Sequence, residues 1–130
     1  MRLKNLSEYY LMNREVIQDA REGGRYEGFS DTAVPVMAHI YDKETTVTNT
    51  AGGVIRRQTK IMLIDAAHRA VYHGETRQEA YMLDVGVGAE VRLEVGDGVC
   101  VYTDPQQGPD YRISEITDPG HLECKLERIG

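Results

Sequence analysis

The 130-residue chain has no tryptophan, one phenylalanine (Phe29), four prolines and two cysteines, against eight tyrosines. With so few large aromatics, the core must be built from Val, Ile, Leu, Met and Ala, with Tyr at its margins. Two cysteines, Cys100 and Cys124, do not make a secreted disulfide framework, and a reducing cytoplasm is the expected site of synthesis. Long apolar runs are missing too. The longest, Ile61–Ile64, is far too short to cross a bilayer. The first residues, MRLKNLSEYYLMNREV, scatter their charges and contain no apolar h-region, so no secretory leader is expected. Positive charge is also scarce. Fifteen Lys and Arg face 21 Asp and Glu, for a net charge of −6, which excludes a generally basic nucleic-acid-binding domain and a basic membrane-surface domain.

The remaining composition is ordinary for a globular protein, 41% hydrophobic and 28% charged. The length suits one domain over residues 1–130 with one modest core. Leu6, Tyr9, Tyr10, Val16, Ile17 and Ala20 recur at three- and four-residue spacing. With Asn5 and Glu8 as a capping box and Gly23-Gly24 as a stop, they predict an N-terminal helix over 5–22. Asn13 interrupts the apolar stripe. From Ala33 the period changes to two: Val34, Val36, Ala38 and Ile40 alternate with Pro35, Met37, His39 and Tyr41. Thr45–Thr50 is rich in β-branched residues, and Ala51-Gly52-Gly53 breaks it. A strand is expected at 58–64, although Ile61, Ile64, His68 and Val71 also fit one helical face, which leaves 58–73 open between strand and helix. Further strands are expected at 91–95, 99–102, 111–116 and 122–126. Turns fall at Gly96-Asp97-Gly98 and Asp118-Pro119-Gly120, and a loop over 104–110. The expected fold is mainly β: a small antiparallel barrel or sandwich over 33–130 with an N-terminal helix and long flexible loops.

Motifs that carry chemistry are sparse. His121 and Cys124 have an HxxC spacing to which Cys100 could add a third ligand, but a structural zinc site needs four ligands, and Cys124 alternates with Leu122 and Leu126 as a buried residue would. No nucleophile motif stands beside His39, His68 or His73. Asp104, Asp110 and Asp118 belong to turns rather than to a calcium loop. Val85-Gly-Val-Gly-Ala89 lacks the third glycine and the following helix of a dinucleotide site, so a hairpin is the better reading. No metal, cofactor or catalytic residue is expected.

Charge is unevenly spread along the chain. Residues 1–33 carry net −1. Residues 34–73 hold five bases (Lys43, Arg56, Arg57, Lys60, Arg69) against three acids, and residues 74–130 hold five bases against twelve acids. Arg56, Arg57 and Lys60 beside the Ala51-Gly52-Gly53 break form the one concentrated basic feature. They read either as a solvated loop or as a mobile loop that approaches a polyanion when symmetry multiplies it.

The C-terminal third resembles a known family. Its runs are Val91-Arg-Leu-Glu-Val-Gly-Asp-Gly-Val-Cys-Val-Tyr102, Asp110-Tyr-Arg-Ile-Ser-Glu-Ile116 and Thr117-Asp-Pro-Gly-His-Leu-Glu-Cys-Lys-Leu-Glu-Arg-Ile129. They are similar to the head–tail connector proteins of long-tailed bacteriophages, in particular the stopper, or head-closure, type. The resemblance implies a non-enzymatic structural protein of the virion, assembled in the host cytoplasm as a ring of six or twelve copies. A portal and adaptor ring would lie above it and tail proteins below, with packaged DNA held non-specifically in the channel and no membrane contact. By order along the chain it would place the channel loop in Thr45–Lys60, with Arg56, Arg57 and Lys60 facing DNA. The competing readings are a tail-terminator or tail-completion ring, a small cytoplasmic β-barrel ligand-binding or enzymatic domain using His68, His73 and nearby acids, and a monomeric adaptor module.

Overall fold

The β-branched and aromatic residues distributed along the chain favour extended backbone, and nine antiparallel strands take up most of the described residues. The computed structural model describes residues 5–18, 25–86 and 88–129. In chain order the strands are β1 (Ser7–Gln18), β2 (Arg25–Thr50), β3 (Gly53–Ile64), β4 (His68–His73), β5 (Gln78–Gly86), β6 (Ala89–Leu93), β7 (Gly98–Cys100), β8 (Tyr111–Thr117) and β9 (Leu122–Arg128). One 3-10 turn, Pro105–Gln107, lies in the 104–110 connection, capped by Asp104 with Gln107 completing the box.

Six strands close a barrel in the order β1-β2-β3-β9-β8-β7, and β4-β5-β6 form a separate three-stranded sheet. Strand β2 is shared between two partners. It pairs with β1 from Arg25 to Ala38 and with β3 from Ala38 to Thr50. Residues of period two point inward and fill the barrel: Leu11, Val36, Ala38, Met62, Ile64, Val99, Tyr111, Ile113, Leu122, Cys124 and Leu126 are all buried. Leu83, Val91 and Leu93 of the side sheet join the same cluster. One face of that sheet therefore lies on the barrel, and both layers share a core.

Several expectations need correction. Residues 5–22 do not form a helix: Ser7–Gln18 is strand β1, and 19–22 lie outside the described residues. The spacing of Tyr9, Tyr10, Val16 and Ile17 also fits a strand with a register break, and β1 pairs with β2 along its length and with β7 over Tyr10–Met12. The break falls at Asn13, which faces Ser30–Thr32 of β2 between the pairs Met12↔Ala33 and Arg14↔Phe29. The interruption of the apolar stripe was thus the mark of an irregular strand. The barrel accordingly begins with β1 rather than at residue 33, and residues 68–93 leave it for the side sheet.

The long flexible loop expected over Thr45–Lys60 is instead an antiparallel ribbon, with only Ala51-Gly52 between its strands. Residues 58–73, open between strand and helix, hold the end of β3 and all of β4. Elsewhere the turn chemistry reads through. Gly86 and Gly88 take positive φ in the β5–β6 hairpin, and Gly120 does so in the β8–β9 turn.

Candidate functional site

Two places on this scaffold concentrate unusual physical features: the ribbon that leaves the barrel, and the polar junction between the barrel and the side sheet.

The ribbon follows from where pairing stops. β9 accompanies β3 only over Thr59–Ile64, and β1 leaves β2 at Ser7↔Ala38. From Thr45↔Gln58 to Thr50↔Gly53 the two strands therefore pair only with each other. At about 3.4 Å per residue this ribbon runs about 20 Å past the barrel wall. Its tip is tied by the Thr50 hydroxyl donating to the Gly53 carbonyl at 3.0 Å. Val47 and Val54 are 54% and 59% exposed. Val47 lies opposite Arg56 and Val54 opposite Asn49, so the two valines are diagonal neighbours on one ribbon face. Arg56 and Arg57 occupy successive register positions opposite Val47 and Thr46, well out along the ribbon.

Lys60 is placed differently from the two arginines. It sits at the ribbon's root, where Lys43 is the extra residue of a β-bulge between Asp42↔Lys60 and Glu44↔Thr59. Lys60 is 6% exposed and points toward the barrel mouth. Its ammonium pairs with the Asp42 carboxylate and lies 5.1 Å from the Tyr102 ring centroid and 5.8 Å from that of Tyr111. Burial works against the charged amine, but the Asp42 carboxylate and the Tyr102 phenol outweigh it and raise the Lys60 pKa above the ordinary lysine value. Lys60 is thus a latch at the mouth of the barrel, and of the three predicted bases only Arg56 and Arg57 extend with the ribbon.

At the junction, the side chain of Asp97 ties the irregular strand β1 to the Glu94–Gly96 turn. Its Oδ1 accepts from the Arg14 amide at 2.7 Å, and its Oδ2 accepts from the Glu94 amide at 2.8 Å and from Asn13 Nδ2 at 3.1 Å. Asp97 is fully buried, and that burial, against three donors, pushes its pKa up to about 6. Glu94 is equally buried and faces the opposite side of the side sheet. It accepts from Thr76 Oγ1 at 2.8 Å and Gln78 Nε2 at 3.1 Å, with His73 Nδ1 also at 3.1 Å and Arg92 Nε at 3.4 Å. Burial opposes its ionisation, but the donors Gln78 and Thr76 and the His73 ring prevail and hold its pKa below the ordinary glutamate value.

The two histidines named for an enzymatic reading stand at opposite ends of β4. His73 borders a cleft of about 290 Å³ with Glu75 and Arg92, whereas His68 lies beside the β8–β9 turn. His68 Nε2 is 2.8 Å from Asp118 Oδ2, and its Nδ1 is 3.2 Å from the Ala66 carbonyl. Both partners are acceptors, so both nitrogens are satisfied only when each carries a proton. The Asp118 bond raises the His68 pKa, with burial pulling the other way, and the same contact lowers that of Asp118. His39 stacks on Tyr41 at 5.8 Å. Cys100 and Cys124 are buried free thiols, the latter pushed up to about 12 by burial. Among the described residues no three His, Cys, Asp or Glu gather closely enough to hold a metal.

Sequence reading missed the Asp97–Glu94 junction. Glu90, Arg92 and Glu94 alternate with Val91, Leu93 and Val95, which gives no sign that Glu94 is interior, and the usable signal was an acid held between Gly96 and Gly98. No protein-family model matches the chain, and no curated protein matches it.

Proposed function

We propose that this chain is a ring-forming structural protein of a phage head–tail connector, of the stopper type, whose β2–β3 ribbon faces the channel. The observation that carries the reading is the ribbon itself. A lone two-stranded hairpin is marginally stable in water. This one runs about 20 Å clear of the barrel with unpaired edges and two exposed valines, so it is suited to surroundings that only an assembly provides. Arg56 and Arg57 on the ribbon contrast with a C-terminal region of five bases and twelve acids. A ring would bring the basic ribbons together and leave the acidic bodies outside, which lets an acidic protein hold a polyanion. Retention of this kind is steric and electrostatic and uses no catalytic group.

Replacing Arg56 and Arg57 together by Glu tests the reading. The barrel and side sheet keep all their pairings, so the variant should fold and be incorporated into particles. The expected result is particles that lose packaged DNA. Full retention by particles that contain the variant would refute the channel role of the ribbon. A protein that never enters particles would refute the connector assignment.

A further inference from the structure

The side sheet ends in two edge strands, β6 and β4, and the molecule treats them differently. The Asp84 amide donates to the Ala67 carbonyl at 2.9 Å, which sets the phase of the ladder. Arg69, Val71 and His73 therefore exchange bonds with β5, and the backbone N–H and C=O of His68, Ala70 and Tyr72 point away from the sheet. Carried across β5, the same phase turns the backbone of Arg92 and Glu94 outward on the other side. There the edge is sealed by side chains. The Arg92 carbonyl accepts from Asn13 Nδ2 at 2.5 Å, and the Glu94 amide donates to Asp97 Oδ2 at 2.8 Å. Along β4, no group among the described residues bonds to the outward backbone of His68, Ala70 or Tyr72.

The open edge also lacks the usual defences against strand addition. His68–His73 contains no lysine, proline or bulge. Ala70 is exposed and Tyr72 is 67% exposed, although both lie on the face that carries Leu83 into the core. The barrel therefore leaves this part of the edge clear for another strand. The sequence of β4 fits itself. Antiparallel self-pairing centred on Ala70 sets Ala70 opposite Ala70, His68 opposite Tyr72 and Arg69 opposite Val71. It is the one register that pairs all three outward-facing residues, each pair exchanging two backbone bonds. It also opposes no two bases. A centre at Arg69 sets Arg69 against Arg69, and a centre at Val71 sets Arg69 against His73, and like charges directly opposite are destabilising.

We infer that β4 is a docking edge for a second copy of this chain. Two β4 strands pair antiparallel about Ala70 and join two three-stranded sheets into one, with the exposed Tyr72 ring of each copy laid beside His68 of the other. A single strand pair makes a small interface, so the contact is weak and reversible. It is two-fold and doubles whatever species it is added to. The ribbon takes no part in it, and the contact does not rest on the connector reading.

The test is analytical ultracentrifugation of the full chain over a range of concentrations. A reversible doubling of mass is expected. Ala70→Pro removes an outward N–H that the β4–β5 ladder does not use, and it should weaken the doubling at least about tenfold, with an unchanged thermal midpoint showing that the variant is folded. Ala70→Cys supplies a second readout that does not depend on tolerance of proline. Across the two-fold axis the paired Cα atoms stand about 5.5 Å apart, within disulfide range, and the native Cys100 and Cys124 are buried. Ala70→Cys should therefore form a disulfide-linked dimer faster than Glu79→Cys, one strand further from the axis. No doubling in the wild type, undiminished doubling in folded Ala70→Pro, or equal linking rates for the two cysteine variants would each overturn the inference. A chain that doubles in this way and binds no connector would refute the connector reading alone.

Discussion

Replacing Asp97 by Asn keeps the volume and the shape at the junction and changes only what the two oxygens can accept. In the wild type, Oδ2 takes two donors, the Glu94 amide and Asn13 Nδ2, while Oδ1 takes the Arg14 amide. The best orientation of an asparagine leaves its oxygen at the Oδ2 position and turns its NH2 toward the Arg14 amide, donor against donor. One charge-assisted bond is lost, and a buried N–H is left without an acceptor, each worth roughly 1–3 kcal/mol. Relief from burying a carboxylate that resists ionisation, with a pKa of about 6, offsets part of this. A net loss of about 2–3 kcal/mol remains. For a domain of 130 residues, about 1 kcal/mol moves the melting midpoint by about 4 °C. The variant should therefore melt about 8–12 °C below wild type by circular dichroism at a pH above 7. Asp97→Ala, which abandons all three donors, should fall further. A shift smaller than about 2 °C for Asp97→Asn would mean that Asp97 does not fasten β1 to the Glu94–Gly96 turn.

Other substitutions probe other parts of the account. Asp42→Ala leaves the Lys60 ammonium buried beside two rings without its carboxylate, whereas Lys60→Met keeps the stem and removes the charge. The first should lower the melting midpoint more than the second, and the reverse order would contradict the latch at the ribbon root. Gly98→Ala drives a methyl group into Pro109 and Phe29 and should cost about 1–3 kcal/mol in chemical denaturation; a neutral effect would show that the contact is loose. His68→Gln tests the pH dependence of the pair that joins the side sheet to the β8–β9 turn. The folded-state pKa of His68 is raised above its ordinary 6.5, so its contribution is complete below that value and fades as the pH rises through the folded value. Asp118 has its pKa lowered below 3.8, so its share is complete above that value and is lost as the pH falls through the folded one. The wild-type advantage over His68→Gln in urea titrations should be largest between these two values and shrink in alkali. An advantage independent of pH would refute the imidazolium assignment.

Much of the fold was legible in the chain. Leu122, Cys124 and Leu126 alternate with Glu123, Lys125 and Glu127, and the inward set is fully buried. Asp118-Pro119-Gly120 supplies the turn it advertises. Near the N-terminus, Tyr9, Tyr10, Val16 and Ile17 could serve either period, and tertiary pairing decided between them. Thr45–Thr50 showed its β-branched residues, but seeing a ribbon required knowing that the strand after Gly53 returns in register without a third partner. The candidate site was less visible than the fold. Arg56 and Arg57 stood out as a pair, but the burial of Lys60 depends on Tyr102 and Tyr111, more than 40 residues away in the sequence. Glu94 reads as an outward residue on any strand, and only His73, Thr76 and Gln78, brought over it by the β4–β5 hairpin, make it an interior one.

The central claim is that the ribbon belongs to a ring. Native mass spectrometry of the full chain, alone and with connector-bearing capsids that lack it, tests this most directly. A closed ring of six or twelve copies, or the same number bound per connector, is the predicted result. A chain that stays monomeric alone and binds no connector would contradict it.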